Sequence, residues 1–176
     1  MKGYSETKAG RRPAIPVAFM LLFCILCGCF GCGVESEDTI VAPSNTGSNI
    51  FGCRVDQRVW NSTVTISPGF GSIARILNHG LLITAFRQEL YGKGRDEEIS
   101  MQCEGVTGVG TYRLDSATFI DKFANMTYMA PGRVHELTVT TLDTAKRIVS
   151  GTFSFNAGNP AGDTVRVTEG RFDFTY

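Results

Sequence analysis

The sequence has few of the side chains that most enzyme chemistry requires. Its 176 residues include two histidines, His79 and His135. His79 lies in a predicted turn, where an imidazole ring is solvated. His135 adjoins Glu136 on a predicted strand, where consecutive side chains point to opposite faces. The sequence also contains no glycine-rich phosphate loop and no calcium loop. These absences predict a non-enzymatic protein without a cofactor.

An excess of charge of either sign is also lacking. Four of the 17 basic residues and one of the 17 acidic residues precede Gly33, which leaves 13 basic and 16 acidic residues from there onward. Recognition of a phosphate backbone requires a clustered basic face. We therefore expect no nucleic-acid partner.

A long helical period of apolar residues is absent after the N-terminal segment. Apolar and polar residues instead alternate in short runs, which is typical of strands with one buried face. Turn signals such as Asn78-His79-Gly80 separate these runs. Many short strands with regular turns indicate an antiparallel β-sandwich or barrel, and the sequence leaves these two architectures open. We therefore predict a single all-β domain over residues 50–176.

The last two apolar runs predict one irregularity in the sheet. Val165 and Val167 share one parity, whereas Phe172 has the other. One extra residue at Glu169-Gly170 would bring all three side chains to the same face. We therefore predict a β-bulge there, with the glycine supplying the unusual backbone dihedral.

The N-terminal segment has the layout of a secretory signal. Basic residues precede an apolar stretch from Val17 to Leu26, and small residues follow it. The uncharged run from Ala14 to Val34 reaches the ~20 residues that span a bilayer, so an uncleaved transmembrane anchor is the alternative. The strongly apolar part is too short for a span, and glycines weaken its end. We predict a lipoprotein signal peptide over residues 1–28.

Four of the six cysteines lie at the end of this apolar stretch. The letters LCGC, which end at Cys29, resemble the bacterial lipobox. In that signal the cysteine thiol takes a diacylglycerol and becomes the first residue of the mature protein. Cys32 is the alternative lipidation site, because the acidic letters GVESED follow it closely. A metal site is not predicted, because the apolar surroundings offer no polar group that could orient thiolate ligands. After the lipidated cysteine, residues 29–49 are predicted to form a flexible tether.

Two further cysteines, Cys53 and Cys103, fall on the apolar parity of their predicted strands. In an oxidising compartment they could form a disulfide bond. The alternative is a pair of separate buried thiols that pack as small apolar side chains.

Four aromatic residues of the body are candidates for ligand binding. Trp60, Tyr91, Tyr112 and Tyr128 could form a platform on which the apolar face of a glycan stacks. The alternative is that they pack in the core or against neighbouring strands.

Three stretches of the body resemble a family of small Bacteroidetes lipoproteins that carry a domain of unknown function. These are FGCRVDQRVW from Phe51, GVTGVGTYRL from Gly105, and the closing strands VSGTFSF and GRFDFTY. The resemblance implies an all-β domain anchored in the cell envelope. It supplies no catalytic residues.

These patterns together predict a lipoprotein of the outer membrane, on its periplasmic or surface-exposed side. Its expected partners are the membrane, through the N-terminal lipid, and a glycan or another envelope protein. We expect a non-enzymatic binding or structural accessory domain. The alternative is a glycan-directed envelope hydrolase, whose acids would converge only in the folded chain.

Overall fold

The described residues of the computed structural model, 39–63, 71–78, 80–88 and 95–176, form eleven β-strands and no helix. The strands are β1 (Ile50–Val55), β2 (Arg58–Asn61), β3 (Ile73–Leu77), β4 (Gly80–Gln88), β5 (Asp96–Cys103), β6 (Gly110–Arg113), β7 (Ser116–Asp121), β8 (Met126–Met129), β9 (Glu136–Asp143), β10 (Ile148–Gly158) and β11 (Thr164–Thr175). No helix in this part of the chain is long and apolar enough to cross a membrane. The predicted signal segment, Cys29, Cys32 and Tyr91 lie outside the described residues.

All strand pairs are antiparallel and join into one sheet, in the order β2-β1-β11-β10-β8-β7-β5-β4-β3. The long strand β10 pairs with β9 along its first part and with β8 only at Gly158, and β6 pairs with the far side of β9. The amide of Thr63, just after β2, donates to the Phe86 carbonyl of β4 at 3.0 Å. The sheet therefore curls back on itself, and the prediction of an all-β antiparallel domain is confirmed.

The concave face of the sheet encloses an apolar core rich in aromatic rings. Phe51 lies at its centre, with ring centroids 5.6 Å from Trp60 and 4.9 Å from Phe153. Leu81, Ile83, Ile99 and Met101 bring β4 and β5 into the same core. Alternating apolar residues on each strand thus produce one enclosed cluster, as the sequence pattern indicated.

Two glycine–phenylalanine pairs join β10 to β11 in this core. Gly151 lies opposite Phe172, and Phe153 lies opposite Gly170. A Cβ atom on Gly170 would lie 2.6 Å from three ring atoms of Phe153, and one on Gly151 would meet both the Phe172 ring and the Thr138 carbonyl. Each ring therefore occupies the space that a side chain on the opposite strand would need. The glycines are required by packing.

The predicted β-bulge is present in β11. The register with β10 shifts between Phe153 and Phe155, and the register with β1 shifts at the same level. The residue in the left-handed region is Glu169, with φ of 54°, so the role expected for Gly170 was wrong. Gly170 is needed for the Phe153 ring, whereas the bulge dihedral is adopted by Glu169.

The last residues of the segment predicted to be a flexible tether are hydrogen-bonded to the β domain. Residues 39–49, which we call the strap, lie against the outer face of the β domain. The Asn61 side chain holds one end of the strap, since it accepts from the Val41 amide and donates to the Thr39 carbonyl, both at 3.0 Å. A Cβ atom on Gly52 would collide with Ile40 and Val41, so the glycine lets the strap approach the sheet.

Asp173 of β11 holds the other end of the strap. Its fully buried carboxylate accepts from the amides of Thr46, Gly47 and Ser48 at 3.1, 3.0 and 2.9 Å, and from Ser150 Oγ at 2.7 Å. Burial by itself raises the pKa of Asp173, but the hydrogen bonds from Ser150 and the strap favour the carboxylate more strongly. The pKa therefore lies below its ordinary value.

The glycine–phenylalanine packing predicts that Gly170→Ala destabilises the protein. We expect a loss of about 1–3 kcal/mol in the free energy of unfolding, because the added methyl group must displace the Phe153 ring. Gly158→Ala on β10 is the matched control, since its Cβ would meet only the Asp163 carbonyl at 3.6 Å. Urea unfolding of the two variants measures the difference. Equal stability of Gly170→Ala and the wild type would contradict the packing argument.

The strap contacts predict a stability term that depends on pH. Because the folded-state pKa of Asp173 is lowered, this term is complete above the ordinary aspartate pKa of about 3.9 and is lost as the pH falls through the folded-state value. Asp173→Asn replaces one acceptor oxygen by a donor, and we expect it to cost about 1–3 kcal/mol at pH 7. Urea unfolding at pH 7 and pH 3 should show the wild type and the variant converging in acid. A constant difference would exclude this role of the carboxylate.

Candidate functional site

A groove with a volume of about 610 Å³ lies on the outer face of β9, β10 and β11. Its size falls within the range of about 300–1,000 Å³ that is usual for small-molecule sites. Outward-facing side chains of the three strands form its floor and rim, and the strap residues Ala42, Pro43 and Ser44 form a wall. The groove is therefore on the opposite side of the sheet from the aromatic core.

Short hydroxyl side chains form the floor of the groove. Thr138 and Thr140 of β9 lie beside Thr152 and Ser154 of β10, with Thr138 directly opposite Thr152. Successive outward positions on a strand are two residues apart, so these threonines and serines share one face. Thr138 bonds to Thr111 at 3.1 Å, whereas the hydroxyls of Thr140, Thr152 and Ser154 have no side-chain partner in the described part of the chain. Three hydroxyl groups are thus available to a ligand.

Three charged side chains line the groove at different points. Arg171 of β11 lies opposite Thr152 and continues the row that begins at Thr138. It forms no ion pair with any described residue. Glu136 of β9 lies opposite Ser154, and Glu169 lies at the bulge. The groove therefore has a donor row that ends at Arg171 and an acceptor row that contains the two carboxylates.

Glu169 differs from Glu136 in its surroundings. Its Oε1 atom lies 3.3 Å from Nε of Arg54 on β1, in an exposed ion pair. Glu136 forms no ion pair within the described residues, although Arg113 lies opposite it on β6. Glu136 is therefore the carboxylate of the groove that is available to a ligand.

Of the four aromatic residues considered for a platform, Tyr91 lies outside the described residues, and the buried Trp60 does not share an exposed surface with Tyr112 and Tyr128. Trp60 is completely buried and packs against Phe51, so it belongs to the core. The Tyr112 hydroxyl bonds to the backbone of Gly108 at 2.9 Å, and Tyr128 packs 6.0 Å from the ring of Phe119. Trp60, Tyr112 and Tyr128 thus take part in packing and loop hydrogen bonds, which is the alternative that the sequence left open.

The two body cysteines are free thiols, and no disulfide joins them. Burial raises the pKa of the Cys53 thiol far above its ordinary value, although Arg58 and Arg87 act in the opposite direction. Burial, followed by the negative charge of Asp115, raises the pKa of Cys103 to about 11. Both thiols are therefore protonated at neutral pH and are poor nucleophiles.

A charged pair crosses the inner side of the sheet at one end. Nη2 of Arg58 on β2 lies 2.7 Å from Oε1 of the buried Glu97 on β5. Arg87 lies opposite Glu97 and donates to the Val59 carbonyl at 2.9 Å. These groups join β2 to β4 and β5 and satisfy one another, so we assign them to the stability of the fold.

The other candidates from the sequence are not brought together. His135 accepts from the Asn156 amide through Nε2 at 3.3 Å, in a loop beside β10, and His79 lies outside the described residues. Among the described residues, no group of three or more His, Cys, Asp or Glu side chains is placed to hold a metal ion.

Sequence reasoning missed the groove because its residues look like ordinary exposed strand positions. The one local signal is that the outward positions of β9 and β10 carry short hydroxyl side chains, Thr138, Thr140, Thr152 and Ser154. The wall comes from the strap, which is more than ninety residues away in sequence. A pattern within one strand cannot show that two segments so far apart in the sequence are in contact.

Comparison with known proteins identifies a family. A family described as a domain of unknown function, DUF6252, matches residues 69–173, which is more than half of the chain. No curated protein and no solved structure matches. The matched segment includes β3 to β10 and most of β11, and thus the strands that form the floor of the groove. The chain belongs to the DUF6252 family.

Proposed function

We propose that the protein is a lipid-anchored, non-enzymatic binding module of the cell envelope, and that its groove holds a short glycan. The observation that carries this proposal is the groove itself, with unpartnered hydroxyls on its floor and charged groups at its rim. A saccharide offers many donors and acceptors over a small area, which such a floor can match. Membership in the DUF6252 family is compatible with a binding domain and assigns no reaction.

The envelope location is supported by the N-terminal sequence. Basic residues, the apolar stretch from Val17 to Leu26 and the lipobox-like letters before Cys29 follow one another in the order of a lipoprotein signal. Lipidation at Cys29 would leave nine residues before the first described residue of the strap, Thr39. In this proposal the binding groove is held close to a membrane surface.

A glycan-directed hydrolase is the second candidate, because Glu136 and Glu169 line the same groove. They lie on β9 and β11, with β10 between them, so their backbones are about 10 Å apart. Inverting glycosidases place their two carboxyl groups about 6.5–9.5 Å apart. The ion pair between Glu169 and Arg54 at 3.3 Å already uses one of these carboxylates, which favours binding over hydrolysis.

A glycan array tests the binding proposal directly. We expect the wild type to bind at least one class of oligosaccharide, and Thr152→Lys to weaken that binding at least tenfold because a long side chain fills the floor. Thr127→Lys is the matched control, since Thr127 is also an exposed strand threonine but lies on β8 outside the groove. Absence of any binding, or equal binding by Thr152→Lys, would reject the groove as the site.

The bound glycans also separate the two candidates. Incubation with the wild type should leave them intact in mass spectra, whereas hydrolysis would produce shorter saccharides. If cleavage occurs and is abolished by Glu136→Gln, the hydrolase replaces the binding module.

Lipid anchoring has its own test in metabolic labelling with a fatty-acid analogue. Cys29→Ala should abolish incorporation of the label, because it removes the thiol that takes the diacylglycerol. Cys32→Ala is the control and should keep the label. Label retained by Cys29→Ala and lost in Cys32→Ala would move the anchor to Cys32, and label retained by both would reject it.

A further inference from the structure

Arg171 is the strongest indication of what the groove recognises. Arg171 is partly buried, lies opposite Thr152 and lines the groove together with the strap residues, and no described acidic side chain pairs with it. Arg54, by comparison, lies near the same groove and has an acidic partner in Glu169 at 3.3 Å. An arginine held in a groove without such a partner provides a fork of donors for a planar anion.

The neighbours of Arg171 complete a row of donors. Thr138, Thr152 and Arg171 lie directly opposite one another on β9, β10 and β11. Adjacent strands are about 4.8 Å apart, so a carboxylate on the guanidinium group is within reach of the Thr152 hydroxyl. This row suits a carboxylate, which only accepts hydrogen bonds.

The second row has the opposite character. Glu136 lies opposite Ser154, and Glu169 follows at the bulge, so this side of the groove mainly accepts hydrogen bonds. Hydroxyl groups of a sugar can donate to Glu136, whereas a second anionic group there would be repelled. A polyanion such as a phosphate chain therefore does not match the groove.

We propose that the groove binds an acidic sugar, with the sugar carboxylate on Arg171 and the sugar hydroxyls on Ser154 and Glu136. This inference rests on the proposed function and specifies its ligand class. A neutral saccharide of the same shape would leave the Arg171 charge without a partner in a partly enclosed site, which is the situation in which polar sites discriminate most strongly.

The test uses the methyl glycosides of galacturonic acid and mannuronic acid, which carry one carboxylate each, and pairs each with its neutral methyl ester in calorimetric titrations of the full chain. We expect at least one acid to bind at least tenfold more tightly than its ester. Arg171→Gln should remove that preference, and Arg171→Lys should retain part of it because the charge remains but the bidentate fork is lost. Arg166→Gln is the matched control, because Arg166 is an exposed arginine of β11 that does not line the groove. It should bind as the wild type does.

The outcomes distinguish failure of the acidic-sugar inference from failure of the proposal that the groove binds a glycan. Equal affinity for acid and ester, or a preference that survives Arg171→Gln in a folded variant, would overturn the acidic-sugar inference. If Thr152→Lys still removes binding of the ester, the groove remains a glycan site.

Binding of a dipeptide such as Ala-Ala in place of every saccharide would overturn the acidic-sugar inference and the glycan proposal together. Failure of all probes, with the glycan array also negative, has the same consequence. Circular dichroism of Arg171→Gln confirms that a loss of binding does not arise from unfolding.

Discussion

The packing of Phe153 and Phe172 against glycines of the opposite strand is the constraint on which both faces of the sheet depend. Each ring fills the position of a missing side chain, so β10 and β11 are locked in one register by shape. A slip by one residue would place a ring against a strand residue that has a side chain. The same register aligns Thr152 with Arg171 on the outer face. The core therefore determines which polar groups meet in the groove.

The strap depends on this register as well. Asp173 can accept from three consecutive strap amides only because it is positioned opposite Ser150 and Ile50 at the end of the paired strands. Its carboxylate satisfies four donors in a fully buried position, which makes the charged form the stable one. The groove wall at Ala42 to Ser44 then follows from the two ends of the strap, since both are hydrogen-bonded to the domain.

Strand alternation was sufficient for the fold class and for the bulge, because both are recorded in the local parity of Val167 and Phe172. It also placed Cys53 and Cys103 on the apolar face, where both are completely buried. It did not separate a binding aromatic from a packing one. Trp60 has the strand parity of the core residues, and this parity predicted its burial better than the ability of its ring to stack on a ligand.

The position of the strap could not be predicted from the sequence. Its Pro- and Ser-rich composition is that of a tether, and its partner Asp173 is more than 120 residues away. The groove was missed for the same reason, since it exists only where the strap meets β9, β10 and β11.

The order of contacts along the strap has a mechanical consequence. From the N-terminal side, the chain first meets Asn61, then the wall at Ala42 to Ser44, and last the Asp173 carboxylate. A force applied from that side acts on these contacts one after another and not on all of them at once. The Asn61 hydrogen bonds break first, and Ala42 to Ser44 then move away from the sheet. The hydrogen bonds to Asp173 still hold the strap at this stage, so the force does not reach β1. The eleven strands would thus keep their pairing under a pull that already opens the groove.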